Sequence, residues 1–310
     1  MAAITASMVA ELRKKTGLGM MDCKKALVES EGDVDKAIKI LREKGLATAA
    51  KKESRIAAEG VVDILVDGET AAVIEVNSET DFVAKNESFR EFVKGLLRTI
   101  VANKPADVEA LKALNFDGTS ATVDAALTEK IAQIGEKLSI RRFAIVEGTT
   151  STYIHGMGTT GVIVKFEADE AAKNNAGFAD FAKNIALQIA AGSPPTYVAK
   201  EDVPASVLDE EKAIVLTQLQ NDPKNANKPT QILEKMVIGK LGKFYEKNCL
   251  LEQSYVKDDK ISVGKYVENS AKEFGGAIKV VGYFMYEKGE GLQKKEEDFA
   301  AEIEKMVNGK

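Results

Sequence analysis

The chain is poor in the residues that most often carry metal or redox chemistry. Its two cysteines, Cys23 and Cys249, lie far apart and have no Cys-x-x-Cys spacing, so the sequence offers neither a disulfide framework nor a zinc ligand set. His155 is the single histidine, which excludes two-histidine metal motifs and leaves any catalytic triad dependent on one side chain. We expect no cofactor and no catalytic residue from this composition.

Long apolar runs and a nucleotide-binding loop are also missing. No segment approaches about 18 consecutive apolar residues, and no basic stretch followed by an apolar run opens the chain, so we expect a cytoplasmic protein without a membrane anchor. The string G-x-x-x-x-G-K-[ST] is absent, so the chain is not expected to hydrolyse a nucleotide itself. A net charge of −5 argues against a broad nucleic-acid surface, and the short basic runs at 51–55 and 141–142 are typical of solvated helix faces or linkers.

One string imitates a dinucleotide-binding motif. Residues 156–161 read GMGTTG and match G-x-G-x-x-G. A pyrophosphate site needs a helix to begin directly after these glycines, whereas residues 162–166 alternate as a strand does. The glycines therefore predict a hairpin turn with His155 at its tip, where the histidine is either an ordinary exposed residue or a surface contact.

The first 54 residues predict a separate module of three short helices. Thr5 and Asp33 are suitable N-cap residues, and Gly17 and Gly45 mark helix ends. Residues 47–55 are rich in Ala and Lys, and we interpret them as a helical linker into the next domain.

An internal repeat organises the middle of the chain, because residues 59–105 recur in altered form at 147–194. Each copy predicts a two-stranded hairpin, a short loop and an amphipathic helix. The fold class expected is therefore α+β, with two related antiparallel subdomains at 55–146 and 147–286. The corresponding residues, all 88 positions apart (147 minus 59), include Glu59 and Glu147, Gly60 and Gly148, Glu79 and Glu167, Asp81 and Asp169, Lys85 and Lys173, and Asn86 and Asn174.

Two further segments are predicted to be helical. About residues 203–247, two apolar stripes at near-heptad spacing flank the string NDPKNANKP, which predicts a hairpin of helices, an antiparallel coiled coil inserted in the second subdomain. Residues 287–310 are predicted to form a C-terminal helical module whose last helix, at 297–307, docks on this protein or on a partner.

The two repeats differ sharply at one loop. The first copy reads ETDFVAKN and the second EADEAAKN, so Phe82 corresponds to Glu170. A backbone position that accepts Glu in one copy is poorly suited to the core, because an unpaired carboxylate is costly to bury. We therefore expect Phe82 to be exposed, in an apolar knob with Thr80 and Val83. Two interpretations remain: the knob fits the pocket of a partner, or it packs at the edge of the core.

With these segments in place, the strings ELRKKTGLGMMDCKKAL (11–27) and TDFV (80–83) resemble the bacterial elongation factor Ts family over nearly the whole chain. The resemblance implies an N-terminal UBA-like module and guanine-nucleotide exchange on elongation factor Tu, a GTPase. In that family the pair matching Asp81 and Phe82 inserts beside the GTPase-bound magnesium ion, with Thr80 and Val83 in the same motif.

The resemblance also implies a second set of partner contacts and a limited range of partners. Neither direct nucleic-acid binding nor a membrane is implied, and no bond is made or broken at a residue of this chain. The further contact residues, by match to the family, are Arg13, Met20, Met21, Lys24 and His155.

Two alternatives of other classes stay open at this point. One is a helical adaptor without exchange activity, in which TDFV is ordinary surface packing. The other is a hydrolase that uses His155 and Cys23. The loop NDPKNANKP aligns with nothing specific in the family, so the contacts of the helical hairpin are not assigned.

Overall fold

The computed structural model describes residues 4–225 and 228–293, and its first unit is the expected three-helix module. Helices α1 (Ala6–Thr16), α2 (Met20–Glu29) and α3 (Val34–Lys52) surround a small apolar core. The predicted caps are confirmed: the Thr5 side chain accepts from Met8 N at 3.3 Å, and that of Asp33 accepts from Lys36 N at 3.0 Å. The core residues are Val9, Leu12, Cys23, Ala26, Leu27, Ala37 and Leu41.

The prediction that Gly45 ends the third helix is wrong, because α3 continues for seven residues to Lys52. The residues after Gly45 favour helix, and they pack on the core: Ala49 lies against its largest apolar cluster, and Lys52 Nζ donates to Gly135 O at 2.5 Å. The segment interpreted as a linker is therefore the docked end of α3.

The first repeat builds a sheet covered by helices. Strands β1 (Glu59–Asp67), β2 (Thr70–Ser78) and β3 (Leu138–Glu147) pair antiparallel in the order β1-β2-β3. Between β2 and β3 the chain forms α4 (Asp81–Lys85), α5 (Glu87–Asn103), α6 (Val108–Ala113) and α7 (Val123–Ile134). The apolar stripe of α5, with α7, packs on one face of the sheet and forms the largest core.

The second repeat forms a similar unit. Strands β4 (Thr150–His155) and β5 (Thr160–Ala168) precede α8 (Glu170–Lys173) and α9 (Phe178–Ala191). A last strand, β8 (Ile278–Glu287), pairs with β5 and completes the sheet in the order β4-β5-β8. The turn predicted for GMGTTG is confirmed, since β5 and not a helix follows it. The later elements are α10 (Ala205–Asn221), α11 (Thr230–Asn248), β6 (Ser254–Tyr255), β7 (Asp258–Ser262), α12 (Val263–Phe274) and β8 (Ile278–Glu287).

Two details of this second unit differ from the sequence-based expectation. The apolar residues near 250–256 predict one strand, whereas the structure has a short helical turn at Leu250–Glu252 and the two-residue strand β6. The strand β7 was not predicted, because its first three residues, Asp258 to Lys260, are polar and exposed and give no apolar alternation.

The helical hairpin is confirmed as two helices, α10 and α11, that pack on each other. Their shared apolar contact is small, which suits an arm rather than a core. The predicted last helix at 297–307 lies outside the described residues. The hairpin residues in contact are Val215, Leu219, Leu233, Val237 and Leu241.

The two sheets pack face to face. Gly161 of β5 lies so close to β1 that an added Cβ would come within 2.6 Å of Val62 Cγ1. The close approach buries a small cluster between the sheets and leaves the helices on the outer faces. The buried members of this cluster are Val62, Ala71, Val73, Val146 and Ile163.

A buried carboxylate fastens the second sheet to the first. Glu75 of β2 is 0 % exposed and accepts from Arg141 Nη1 at 2.9 Å and Arg142 Nε at 2.7 Å. A β-bulge opposite Glu75 leaves Arg141 without a paired residue, which lets two consecutive arginines reach one carboxylate. Gly289 N, just beyond β8, donates to Glu75 at 2.8 Å, and Asn77 Nδ2 donates at 3.1 Å.

The ionisation of Glu75 is therefore coupled to folding. Burial by itself raises the pKa of the carboxyl, but the hydrogen bonds from Gly289, Asn77, Arg141 and Arg142 outweigh it, so the pKa lies below its usual value. The prediction that residues 141–142 form a solvated basic run is wrong, because both guanidinium groups bind this buried carboxylate.

We expect Glu75→Ala to lower the free energy of unfolding by about 3 to 5 kcal/mol, because it leaves two guanidinium groups without their buried partner. Glu75→Gln tests the charge alone. Because the pKa of Glu75 is lower in the folded protein, its ionised carboxylate stabilises the fold at pH values above the unfolded pKa of about 4.5. This contribution to the free energy of unfolding disappears as the pH falls through the folded pKa. The free energies of unfolding of the wild type and of Glu75→Gln, measured with urea at several pH values, should thus approach each other as the pH is lowered. Exposed Glu69→Gln is the control; equal stability of Glu75→Gln and wild type at pH 7 would contradict the assignment.

Candidate partner-binding site

Phe82 is the most exposed large apolar side chain of the described residues, with 79 % of its surface accessible. It occupies the first turn of α4, at the position where the second repeat has Glu170, which is also exposed. The expectation of an exposed Phe82 is confirmed, and packing at the edge of the core is excluded for this side chain.

The knob itself is smaller than predicted. Val83 is 8 % exposed and belongs to the main core, whereas its counterpart Ala171 is exposed. Successive residues of a helix point about 100° apart, so α4 turns Val83 toward the sheet when Phe82 points outward. The prediction that Val83 belongs to the exposed knob is therefore wrong.

Thr80 is also held within the protein. Its N–H and its hydroxyl donate to the two carboxylate oxygens of Glu136, at 3.0 and 2.7 Å. Ser78 Oγ donates to Thr80 O at 2.9 Å. These bonds fix the backbone at the point where it enters α4, so Phe82 stands on a rigid base.

Asp81 has diverged from its counterpart in the second repeat. The side chain of Asp169 accepts from Ala277 N at 2.7 Å and thus joins two segments of the fold. Asp81 is about half exposed and pairs with Lys85 on the same short helix, at 2.6 Å. The hydrogen bond from Lys85 lowers the pKa of Asp81, so its carboxylate is charged at neutral pH beside Phe82.

The turn that carries His155 belongs to the second subdomain but packs against β1 of the first. Gly158 O accepts from Val62 N at 2.8 Å, and Gly158 has a φ of 100° that suits glycine. A Cβ at Gly158 would come within 2.3 Å of Val61 Cγ2, so the contact requires a glycine. His155 is exposed, with Nδ1 3.5 Å from the Tyr153 hydroxyl.

Arg90 of α5 joins this turn to α4. Its Nε donates to Ala84 O at 3.0 Å, and its Nη2 donates to Met157 O at 2.6 Å. Met157 is 74 % exposed, and neither Arg90 nor Met157 was singled out from the sequence. The available signal was the position of Met157 between two glycines in GMGTTG.

The remaining expected contact residues form a separate exposed surface on the N-terminal module. Met20 and Met21 begin α2 and are 52 % and 62 % exposed. Arg13 on α1 and Lys24 on α2 are exposed as well. No hydrogen bond in the described residues joins this surface directly to Phe82.

The C-terminal end of α7 connects the two surfaces. Gln133 Nε2 donates to Thr16 O at the end of α1, at 2.8 Å. Three residues later Glu136 accepts from Thr80, and Lys137 N donates to Glu79 at 2.6 Å. Residues 133–137, at and just beyond the end of α7, thus bond to both the N-terminal module and the Phe82 loop and position them relative to each other.

The hydrolase alternative finds no support in the described part of the chain. Cys23 and Cys249 are both buried, and burial raises the pKa of the Cys249 thiol to about 11, which keeps it protonated at neutral pH. Residues 4–225 and 228–293 contain no group of three His, Cys, Asp or Glu side chains arranged to hold a metal ion. Within the same ranges no helix combines the length and apolar character needed to span a bilayer.

Comparison with known proteins places the chain in a family. The family model described as elongation factor Ts matches residues 79–290. A protein of Syntrophotalea carbinolica named elongation factor Ts is 46 % identical over 98 % of this chain and 99 % of its own length. Proteins of the same name from Clostridium kluyveri and Magnetococcus marinus are 46 % and 43 % identical, each over 99 % of this chain and 100 % of their own length.

The different burial of Phe82 and Val83 predicts that their substitutions affect the free energy of unfolding to different degrees. Phe82→Glu should change the free energy of unfolding by only about half a kcal/mol, because the side chain is exposed. Val83→Ala should cost about 1.5 to 3 kcal/mol, and Phe92→Ala in the same core about 3 to 5 kcal/mol. Urea unfolding measures all three. A Phe82→Glu variant as unstable as Phe92→Ala would show that Phe82 is part of the core.

Proposed function

This chain belongs to the elongation factor Ts family, and we propose that it is a guanine-nucleotide exchange factor for elongation factor Tu. The observation that carries the proposal is Phe82, an exposed aromatic side chain on a loop held by hydrogen bonds, at a position where the second copy of the motif has a glutamate. It works in the cytoplasm as a protein that binds a GTPase and performs no chemical reaction itself.

The action of the site is mechanical. Phe82 enters the GTPase beside the bound magnesium ion, accompanied by the charged Asp81, and displaces the ion and the phosphate-binding loop. These groups provide most of the affinity for the nucleotide, so the wedge has to offset only part of a nanomolar binding energy of about 12 kcal/mol. GDP then leaves and GTP takes its place.

Rigidity is what makes such a wedge effective. A mobile loop would lose conformational entropy on binding and would follow the partner instead of deforming it. The bonds from Thr80 to Glu136 and the burial of Val83 hold α4 in place before the partner arrives. The binding energy is therefore available to distort the nucleotide site.

Coupling between the two ligands follows from thermodynamics. The factor promotes release only if it binds the nucleotide-free GTPase more tightly than the loaded one, and nucleotide must weaken the factor by the same ratio. No side chain needs a tuned pKa for this purpose.

The second surface supplies affinity. Met20 and Met21 are flexible and apolar, so they adapt to an uneven partner surface, with Arg13 and Lys24 as charged neighbours. His155 and the surrounding second subdomain contact another region of the GTPase. In the same proposal, α10 and α11 supercoil as an antiparallel coiled coil. The domains of the chain end at residues 54, 146 and 286.

The direct test is release of fluorescent GDP from purified elongation factor Tu. We expect the wild-type protein to accelerate release, and Phe82→Glu to lose at least about thirtyfold of that effect, because a central contact contributes 2 kcal/mol or more. Glu170→Gln, the matched position of the second repeat, should behave as wild type. No acceleration by the wild type would favour the adaptor alternative, and an active Phe82→Glu would place the wedge elsewhere.

The methionine surface should affect affinity rather than the maximal rate. In the double variant Met20→Gln, Met21→Gln we expect the concentration of factor needed for half-maximal GDP release to rise about tenfold, with the rate at saturation unchanged. Leu46→Gln, which removes an exposed apolar side chain elsewhere in the same module, is the control. A reduced rate at saturation would assign these methionines to the displacement step itself.

A further inference from the structure

Arg90 lies where loops from the two repeats meet. Its two bonds go to main-chain carbonyl oxygens, Ala84 O in α4 and Met157 O in the turn between β4 and β5. The carbonyl of Ala84 belongs to the last turn of a helix, where no further helical N–H is available to it. A guanidinium group presents several N–H donors in a fixed plane, so one arginine serves two acceptors at once.

The base of Arg90 is firm. Phe89, directly before it on α5, and Phe92, two residues after it, are buried in the main core, so the backbone at Arg90 is fixed. The carboxylate of Asp63 on β1 is close enough to interact electrostatically with the guanidinium group. The arginine thus links two segments from a fixed backbone position: one carries Phe82 and the other carries Met157.

Met157 has an unusual backbone for its residue type. Its φ is 56°, in the left-handed region that favours glycine, and its two neighbours are glycines that adopt such angles without strain. Strain of this kind persists only when the surroundings hold it, and here Arg90 binds the carbonyl of the strained residue itself. The result is an unbranched apolar side chain that projects into solvent from a fixed turn.

We propose that Arg90 is a positioning residue that joins Phe82 and Met157 into one contact surface, in which Met157 fills a second apolar pocket of the GTPase. The proposal rests on the proposed function. The flexible thioether side chain suits an uneven apolar pocket, while the fixed turn keeps the cost of ordering low. The two repeats then act on the partner as a single body instead of as two loops that dock one after the other.

The positioning role can be tested without the partner. The chain contains no tryptophan, so Phe82→Trp or Met157→Trp introduces a single reporter whose fluorescence anisotropy decay measures local motion. We expect Arg90→Ala to increase the fast motion at both positions, with Arg90→Lys in between because an ammonium group cannot span both carbonyls in the same way. Unchanged motion at either reporter would overturn the proposal.

Arg98→Ala is the matched control on the same helix. Arg98 binds Glu91 and Asp117 and, within the described residues, makes no hydrogen bond to α4 or to the turn, so its removal should leave both reporters as in the wild type. Equal motion in Arg90→Ala and Arg98→Ala would reduce Arg90 to an ordinary surface arginine.

The consequence for the partner is measured by GDP release from elongation factor Tu. We expect Arg90→Ala to raise the half-maximal concentration about tenfold, with partial recovery in Arg90→Lys. Phe82→Ala and Met157→Ala should show coupled effects with Arg90 present and additive effects in the Arg90→Ala background. Additive effects in both backgrounds, or an Arg90→Ala half-maximal concentration equal to that of the wild type, would overturn the joint surface.

These measurements separate the two proposals. If the wild type fails to accelerate GDP release, the proposed function is wrong, and the anisotropy experiment still decides whether Arg90 fixes both loops. If Phe82→Glu abolishes release while Arg90→Ala leaves both motion and release unchanged, the exchange function stands and the positioning role is wrong. Thermal unfolding of Arg90→Ala and Arg90→Lys shows whether a loss reflects global instability.

Discussion

The buried charge of Glu75, between two facing sheets, fixes how the two halves of the core are arranged. A carboxylate without water needs several donors, and here they come from two arginines, an asparagine and the main chain of Gly289. Because Gly289 follows the last strand of the second sheet, this bond fixes the two halves of the core relative to each other. Apolar contacts between the sheets bring them together, whereas the directional bonds to Glu75 select one arrangement.

The end of α7 extends this fixed arrangement to the periphery. Gln133 binds the N-terminal module, and Glu136 binds the loop of Phe82. Helix α3 adds a second attachment through Lys52 and Ala49. The N-terminal module is therefore held at a defined place relative to the Phe82 loop, so the exposed methionines and the aromatic side chain have one fixed relative geometry.

The internal duplication places an exposed aromatic side chain on a strand, loop and helix frame that the fold contains twice. Both copies have a strand, a loop and a helix, but the Asp169 side chain accepts from a main-chain N–H of a distant segment, whereas Asp81 pairs with Lys85 on its own helix. Phe82 occupies the position that Glu170 has in the second copy. The first copy fixes its loop chiefly through the hydrogen bonds of Thr80 to Glu136. The second copy lies beside this loop through the turn of His155 and Met157, because Arg90 of the first copy donates to Met157 O.

Most of the secondary structure could be predicted from the sequence, because caps and periodicity are local signals. The duplication and the outward direction of Phe82 could be predicted by comparing the two copies, since Phe82 corresponds to Glu170. The sequence did not determine that α3 passes Gly45, since contact with α7 stabilises those last turns more than a glycine weakens them. It also failed for Val83 and for Arg141 and Arg142, whose burial depends on which face of α4 meets the sheet and on a bulge opposite Glu75. Arg90 and Met157 become neighbours only through the packing of the two subdomains. These contacts follow only from the packing of the folded chain, because each joins residues far apart in the sequence, where no local pattern indicates the partner.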